Sequence, residues 1–360
     1  MKILIDIGHP AHVHLFRNYA NELIEGGHKV IFCVRRKEFN VELLEHYGLP
    51  YKCLTKNYSS VLGKAGGYFL YEFKLLFVAL NFKPDILISH GSFYAAHVAF
   101  LLGKKHIALE DTGNMEQVRL YMPFTDVVLT SSSFKKSLGR KQLFYDGYHE
   151  LAYLYPNRFK PDKEVLKSLN VSDDEKYTIV RFVSRKSSHD IGKRGISIEL
   201  KKEIVKTISK QLKVFISSEE ELPIDLEKYR LKIKPWEMHD AMFYSALYFG
   251  DSATMASEAA IMGVPTIFLD DKGRFYTDEE EKKYGLVYNY YLSEENIYEA
   301  LDQAVQLIKN THLKADMMER KQKLISDHID VTAFLVWFTL EFPQSRNILK
   351  TNPVYQLKFK

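Results

Sequence analysis

Residues 250–269 of this 360-residue chain read GDSATMASEAAIMGVPTIFL. The stretch predicts a loop with small hydroxyl residues, a short helix, a Gly-Val-Pro turn and a buried strand. Ser252 or Thr254 can cap the helix, and the free backbone N–H groups of its first turn would form an anion site. Glu258 lies about one turn further along, where its carboxylate could accept hydrogen bonds from a vicinal diol. The stretch therefore predicts a nucleotide-sugar site, with an ordinary capped helix on a sheet as the alternative.

The same stretch resembles the donor-nucleotide motif of GT-B glycosyltransferases. It is most similar to the motif of the lipid-linked GlcNAc transferase of peptidoglycan synthesis, and it also resembles that of the non-hydrolysing UDP-GlcNAc 2-epimerases. The resemblance implies that Glu258 holds the ribose and that Ser252 and Thr254 lie at the diphosphate. It also implies an α/β fold of GT-B type, in which two Rossmann-like βαβ domains face a central cleft.

The composition is that of a soluble globular protein, with 46% hydrophobic and 27% charged residues. The length favours two domains. The formal net charge of +4 is too diffuse to indicate nucleic acid and suits an anionic substrate or an anionic membrane surface. The two cysteines, Cys33 and Cys53, lack CxxC spacing, which favours a reducing, cytoplasmic setting.

The N-terminus runs directly into a strand pattern, so no signal peptide is expected. Short apolar strands alternate with helical segments, which predicts parallel sheets covered on both faces. The predicted strands are 2–7, 30–34, 86–89, 106–109 and 127–130 in the first half, and 177–183, 213–217 and 247–250 in the second. The predicted domains are 1–150 on the acceptor side and 151–329 on the donor side, with a helix and tail, 330–360, that cross back to the first.

The first strand is followed by residues 8–14, GHPAHVH, which open a helix. Three histidines in such a loop can supply a catalytic base to an acceptor hydroxyl, or they can simply hydrogen-bond the loop backbone. No cysteine or nearby carboxylate completes a metal site, so none is expected. The loop resembles the Gly-rich loop of the peptidoglycan transferase, which implies that His12 is the base, with His9 and His14 as second choices.

Two further strand ends carry polar residues. Residues 85–93, DILISHGSF, and 106–114, HIALEDTGN, resemble the paired strand-loop elements of the same transferase. The resemblance implies a catalytic role for Glu110 and acceptor contacts at His90 and Ser92, beside His14. The alternative for Glu110 is a carboxylate that caps a helix or steadies a hinge.

The second half contributes a basic loop, 184–195, that suits a diphosphate and its departing charge. Arg185 and His189 are the candidate donor-binding residues there, and a solvated basic loop is the alternative. Trp236 precedes a predicted helix in a segment that resembles the base-binding loop of GT-B enzymes, although core packing would suit it equally. Arg274 follows the Gly-Val-Pro strand, where related folds reach the donor sugar or phosphate.

Three shorter segments resemble domain-of-unknown-function family 354, a GT-B-like family. They are GYHELAYL at 147–154, RFVS at 181–184 and SHDIG at 188–192. This resemblance implies the fold and leaves the reaction open.

Residues 64–83 are apolar and aromatic, with a lysine at each end. Such a helix either lies at a membrane interface or is buried in the N-terminal domain. The first case would make the protein peripheral at the inner face of the membrane and would favour a lipid-linked acceptor.

Three functions fit these patterns. The preferred one is a metal-independent glycosyltransferase that uses a UDP-sugar, without other cofactors, in cell-surface polysaccharide synthesis. The second is an enzyme similar to the UDP-N-acetylhexosamine 2-epimerases, and the third is a non-catalytic nucleotide-sugar binding protein. The first loop lacks the Arg-Pro-Glu-Ala pattern that opens the epimerases, which favours transfer.

Overall fold

The computed structural model describes residues 1–56, 61–183 and 195–360, with side chains from residue 66 onward in the second range. The chain divides into two compact units. Unit 1 comprises Met1–Arg158 and His328–Lys360, and unit 2 comprises Phe159–Asp327. The first unit boundary lies at residue 158, eight residues after the expected 150. The second lies at residue 327, two residues before the expected 329.

The strands are β1 (Lys2–Ile7), β2 (Lys29–Arg36), β3 (Tyr51–Lys56), β4 (Ile86–His90), β5 (Lys105–Glu110), β6 (Val127–Ser131), β7 (Gln142–Tyr145), β8 (Tyr177–Phe182), β9 (Lys213–Ser218), β10 (Leu247–Gly250), β11 (Thr266–Asp270) and β12 (Val287–Tyr291). The helices are α1 (Pro10–Glu25), α2 (Asn40–His46), α3 (Val61–Phe82), α4 (Phe93–Leu101), α5 (Met115–Tyr121), α6 (Leu151–Leu154), α7 (Val165–Ser168), α8 (Ile198–Ser209), α9 (Ile224–Glu227), α10 (Met238–Phe243), α11 (Ala253–Met262), α12 (Phe275–Lys282), α13 (Glu294–Lys309), α14 (Leu313–Asp327), α15 (Val331–Leu340) and α16 (Gln344–Thr351). Two 3-10 helices, Pro235–Glu237 and Pro353–Phe359, complete the described elements.

Unit 1 is built on a seven-stranded sheet in the order β3-β2-β1-β4-β5-β6-β7. Every neighbouring pair is parallel. The central strands are apolar and buried because helices cover both faces of such a sheet. The strand order reverses between β1 and β4, and ligands of open parallel sheets bind at the carboxyl ends of strands at that point.

The C-terminal residues belong to unit 1 through specific contacts. Asp330 caps α15 by accepting a hydrogen bond from the Ala333 amide at 3.1 Å, and Arg158 donates to the same carboxylate. Gln356 accepts from the Asp146 amide at 2.8 Å. Residues after 327 are therefore fixed to the N-terminal sheet and its helices.

Unit 2 has a five-stranded sheet in the order β12-β11-β10-β8-β9, again with parallel neighbours. Its strand order reverses between β8 and β10. Gly250 ends β10 where no side chain fits, because an added Cβ would lie 2.7 Å from the Arg181 carbonyl oxygen on β8. In the described parts of the chain, no helix is both long and apolar enough to span a membrane.

One buried carboxyl group of unit 2 gives a stability prediction. Glu280 on α12 is fully buried, accepts a 2.5 Å hydrogen bond from the Ser257 hydroxyl, and has its second oxygen buried without a partner among the described residues. Burial, opposed in part by that hydrogen bond, raises the pKa of Glu280 to about 8. The folded protein therefore retains a proton that the unfolded chain releases, and the carboxyl group costs stability as pH rises from about 4.5 toward 8.

Glu280→Gln preserves the shape and removes this titration. We expect the free energy of unfolding at pH 7 to rise by about 1–3 kcal/mol. Urea unfolding of wild type and variant between pH 5 and pH 8 would test this, because the wild type should lose stability over that interval relative to the variant. Parallel pH curves for the two proteins would contradict it.

Candidate functional site

The candidate site of unit 1 lies where β1, β4 and β5 end side by side. β1 leads into Gly8 and His9, β4 ends at His90, and β5 is followed directly by Asp111. Because all three strands are parallel, these residues share one edge of the sheet.

The loop expected over residues 8–14 is only Gly8 and His9, because the proline at the first helical position starts α1 at Pro10 and places His12 and His14 on the helix. Histidines fix this short connection. His9 is the N-cap residue of α1, and its Nδ1 accepts a hydrogen bond from the Ala11 amide at 3.2 Å. Nδ1 of His12 accepts from the Gly8 amide at 3.3 Å. A backbone N–H can only donate, so the proton of neutral His12 lies on Nε2. His12 can take a second proton only at Nδ1, after that amide bond is released.

Four imidazoles form a continuous cluster at this edge. The ring of His12 lies 6.0 Å from that of His9 and 4.4 Å from that of His90, measured between centroids. The His90 ring in turn meets that of His149 edge-on at 5.1 Å. The structure thus brings together three of the predicted residues, His9, His12 and His90, and adds His149 from the segment after β7.

Asp111 joins two of these imidazoles. Its Oδ1 lies 2.9 Å from Nε2 of His90, and its Oδ2 lies 3.2 Å from Nδ1 of His149. Nε2 of His149 is buried and has no hydrogen-bond partner among the described residues. A carboxylate that holds one nitrogen of an imidazole and leaves the other with a lone pair is the arrangement that orients a general base.

The cluster holds different imidazoles in different protonation states. Burial opposes ionisation of Asp111, but His90 and His149 outweigh it and hold the pKa of that carboxyl well below its usual range. Burial would lower the pKa of His90, but the Asp111 carboxylate raises it above the ordinary value. For His12, burial and then the neighbouring His90 lower the pKa well below the ordinary value. The cluster therefore favours the neutral form of His12 and the charged form of His90.

Two other predicted residues are engaged in structural hydrogen bonds. Oε1 of Glu110 accepts from the amides of Thr112 and Gly113 at 2.8 and 2.9 Å, and Oε2 accepts from the Tyr121 hydroxyl at 2.9 Å. Glu110 thereby fixes the loop that carries Asp111. The Ser92 hydroxyl caps α4 and donates to buried Asp6 at 2.5 Å.

His14 lies apart from the cluster. It is buried, and its ring packs against Tyr153 at 5.6 Å and Tyr47 at 6.1 Å. Residues two apart on a helix point to different faces, so α1 directs His12 and His14 to different surroundings.

Part of the cluster also has the composition of a cation site. His90, Asp111 and His149 can each offer a ligand atom, and these atoms lie within 4.8 Å of one another. Two imidazoles and a carboxylate suit a transition metal such as zinc. Asp111 already accepts from one nitrogen of each imidazole, and Nε2 of His149 is the nitrogen left without a partner among the described residues.

The candidate site of unit 2 is the start of α11, after β10. Ser252 occupies the N-cap position, but its side chain makes no capping hydrogen bond, and the first turn, which includes Thr254, contains no acidic residue. The side-chain cap expected from the sequence is therefore absent at Ser252. No carboxylate in this first turn neutralises the positive end of the helix dipole. The start of α11 therefore favours a bound anion.

Glu258 lies further along α11 and is almost fully buried. Its Oε1 is 2.9 Å from Nε2 of His239 on α10, and both side chains are about 95% enclosed. The pair links α10 to α11. The carboxylate thus has a structural partner that the sequence did not indicate.

The remaining donor-side predictions fall at different places. Trp236 is half-buried in the 3-10 helix that leads into α10, and Arg274 occupies the N-cap position of α12, shortly after β11. Arg185 and His189 lie outside the described residues. Arg181 on β8 donates to the Ser217 hydroxyl at 2.8 Å and to Glu219, so it has partners within unit 2.

Sequence reasoning did not single out Asp111, His149 or His239. Asp111 directly follows Glu110, the last residue of β5 and part of the motif that was recognised. A carboxylate directly after a buried parallel strand was the sequence signal that could have identified it. The two histidines lie in helical or turn segments, and only tertiary packing brings them to their carboxylates.

Comparison with known proteins identifies relatives of the whole chain. The family described as "Protein of unknown function (DUF354)" matches residues 1–341. Uncharacterized protein MJ0665 of Methanocaldococcus jannaschii is 27% identical over 279 residues, which cover 74% of this chain and 81% of that protein.

Two solved structures illustrate the similarity in fold. The UDP-GlcNAc 2-epimerase from Neisseria meningitidis, bound to UDP-GlcNAc, has a TM-score of 0.67 at 16% identity, covering 94% of this chain and 99% of the epimerase. The spinosyn forosaminyltransferase SpnP has a TM-score of 0.63 at 13% identity, covering 95% of this chain and 100% of the transferase. Together with the two parallel sheets, these similarities confirm the GT-B fold predicted from the sequence.

Proposed function

Since this chain belongs to the DUF354 family and has a GT-B fold, we propose that it is a metal-independent glycosyltransferase. Its donor would be a UDP-sugar, and its acceptor a glycan or a lipid-linked glycan of cell-surface polysaccharide synthesis. The observation that carries the proposal is the contact of the His12 ring with His90, which is paired with Asp111, at the strand ends where parallel sheets bind ligands.

In the proposed reaction, unit 1 activates the acceptor. An acceptor hydroxyl oxygen bonds to the anomeric carbon of the sugar, the bond from that carbon to phosphate breaks, and UDP leaves with the electron pair. The hydroxyl proton passes to an imidazole of the cluster. His9, His12 and His90 are partly exposed, whereas His149 is 7% exposed. The proposal assigns the base to His12, because Nδ1 of His9 caps α1 and His90 is paired with Asp111. Asp111 and His90 act behind it as positioning residues.

Unit 2 would bind the donor at α11. The N–H groups around Ser252 and Thr254 suit the diphosphate, and Glu258 suits the ribose hydroxyls. Arg274 and Trp236 are the further donor contacts in this proposal, with Arg185 and His189 in the basic loop toward the leaving phosphate.

A UDP-GlcNAc 2-epimerase reaction is the second candidate. The Neisseria epimerase and SpnP share the fold of this chain at similar TM-scores, 0.67 and 0.63. Both similarities concern the fold alone. An epimerase converts its nucleotide sugar without an acceptor, and that requirement separates the two reactions.

Donor binding is tested by Glu258→Gln, which keeps the size of the side chain and removes its charge. Loss of a charge-assisted bond to a ribose costs about 1.5–3 kcal/mol, so UDP affinity measured by calorimetry should fall roughly 10- to 150-fold.

His239→Gln is the matched control, because it breaks the same buried pair from the other side. This variant should lose stability, in thermal unfolding, while its UDP affinity stays within a few-fold of wild type. Equal losses of affinity in the two variants would mean that Glu258 acts only by supporting α10 and α11.

Metal independence is tested by chelation. Turnover should be unchanged after dialysis against EDTA, because the proposal assigns the leaving charge to basic groups and the α11 terminus. Loss of turnover that Mg²⁺, Mn²⁺ or Zn²⁺ restores in wild type, with metal content that falls in His149→Ala, would instead assign a cation to His90, Asp111 and His149.

A further inference from the structure

The helix α3 has two apolar faces, and only one of them is packed. Tyr71, Leu75 and Ala79 point into the core of unit 1, where they contact β1 and α4 side chains. The opposite face carries Phe69, Phe73, Phe77 and Leu80, which are 78, 68, 61 and 52% exposed. A helix that is apolar on opposite sides needs a partner for each side. These four exposed residues are called the α3 surface below.

The α3 surface is a continuous stripe. Its residues follow the spacing i, i+4, i+8 and i+11, so they share one side of the helix over roughly 16 Å. Beside it, Tyr68 of α3 contacts Phe93 and Tyr94 at the start of α4. The last turn of α4 exposes Phe100 and Leu101 by 62 and 65%. An exposed apolar area of this kind on a folded unit marks an interaction site.

The charged residues that line the cavity beside the α3 surface are both lysines. A cavity of about 370 Å³ adjoins the stripe and is lined by Phe73, Phe77, Val78 and Leu54 together with Lys52 and Lys74. No carboxylate is among the residues that line it. The acidic residue in the described side chains of α3, Glu72, is paired with His97 at 2.9 Å. Apolar side chains with cations at their margin match the acyl chains and anionic head groups of a bilayer.

We propose that the α3 surface docks unit 1 onto an anionic lipid bilayer, with the phenylalanines in the acyl boundary and Lys52 and Lys74 at the head groups. A second copy of the chain fits less well, since a two-fold interface would set the same cations of both copies beside one face. The docking surface does not depend on the proposed transferase activity. Its test therefore needs no substrate.

The test is co-sedimentation of the full chain with vesicles. Wild type should bind vesicles that contain phosphatidylglycerol, and it should bind phosphatidylcholine vesicles more weakly. The triple variant Phe69→Gln, Phe73→Gln, Phe77→Gln should bind anionic vesicles about tenfold or more weakly. Glutamine is a good helix former, so α3 should persist, and circular dichroism checks it.

The matched control removes three exposed apolar side chains elsewhere. Ile224→Gln, Tyr291→Gln and Val354→Gln alter residues that are 86, 59 and 66% exposed and lie outside the α3 surface. This control should bind vesicles like wild type. Lys52→Glu should weaken binding to anionic vesicles, with little change on neutral ones.

A second measurement locates the contact. In Phe73→Trp, the new indole should be quenched by lipids brominated in the acyl chain. Vesicle binding that is equal in wild type and the triple variant would overturn the proposal. A second result would also overturn it: wild type does not bind vesicles and is a dimer in light scattering, whereas the triple variant is a monomer.

Discussion

His12→Ala is expected to lower kcat by about 10²–10⁴-fold, while UDP affinity stays within a few-fold of wild type. The reason is that His12 is a partly exposed member of the imidazole cluster, and burial and the neighbouring His90 lower the pKa of its ring. The ring is therefore unprotonated near neutral pH, the form a general base needs, and it can take the proton in the transition state once the Gly8 amide releases Nδ1. The measurement is turnover at saturating donor and acceptor, beside calorimetry with UDP.

His14→Ala is the matched control for this prediction. It removes an imidazole from the same helix, but one that packs against Tyr47 and Tyr153. This variant should unfold at a lower temperature and retain kcat within a few-fold at a temperature where it is folded. Wild-type turnover in His12→Ala would remove His12 from the chemical step.

Asp111→Asn is the second large effect, again about 10²–10⁴-fold in kcat. The amide has one acceptor oxygen in place of two and no charge, so it cannot hold both imidazoles, and the charged form of His90 loses its partner behind His12. Glu116→Gln, an exposed carboxylate in the next helix, is the control and should leave kcat unchanged.

The pH profile distinguishes this role from a loss of folding. In wild type, His90 carries a charge that lowers the pKa of His12. In Asp111→Asn, His90 loses the carboxylate that raises its own pKa, its charge is lost near neutral pH, and the pKa of His12 should rise. The acid limb of kcat/KM should therefore move to higher pH. An unchanged profile with reduced kcat would indicate that Asp111 only supports the loop.

Much of the fold could be predicted because central strands are continuous apolar runs. The strand Lys2–Ile7 and the helix end at Glu25 follow from the sequence with the bounds that the structure has. Of the four edge strands, β9 was predicted at 213–217, whereas β3, β7 and β12 were not. β3 and β12 are only partly buried, and the polar residues on their exposed sides interrupt the apolar run that marks a central strand.

The site was predictable to the extent that strand ends define it. His12 and His90 follow adjacent parallel strands, and their proximity follows from that order. The role of Asp111 could not be predicted, because it depends on His90 and His149, which only tertiary packing brings to its carboxylate. Glu258 was recognised by its motif, whereas its partner His239 is on another helix and carries no sequence signal for the contact.

The central claim is sugar transfer, and nuclear magnetic resonance of a reaction mixture tests it most directly. The protein is incubated with a panel of UDP-hexoses and UDP-N-acetylhexosamines, with and without a lipid-linked glycan extract as acceptor. We predict that UDP appears together with a new glycosidic anomeric signal only when the acceptor is present, and that His12→Ala lacks both. Accumulation of the C2 epimer of a UDP-N-acetylhexosamine without any acceptor would contradict the account and assign the epimerase reaction instead.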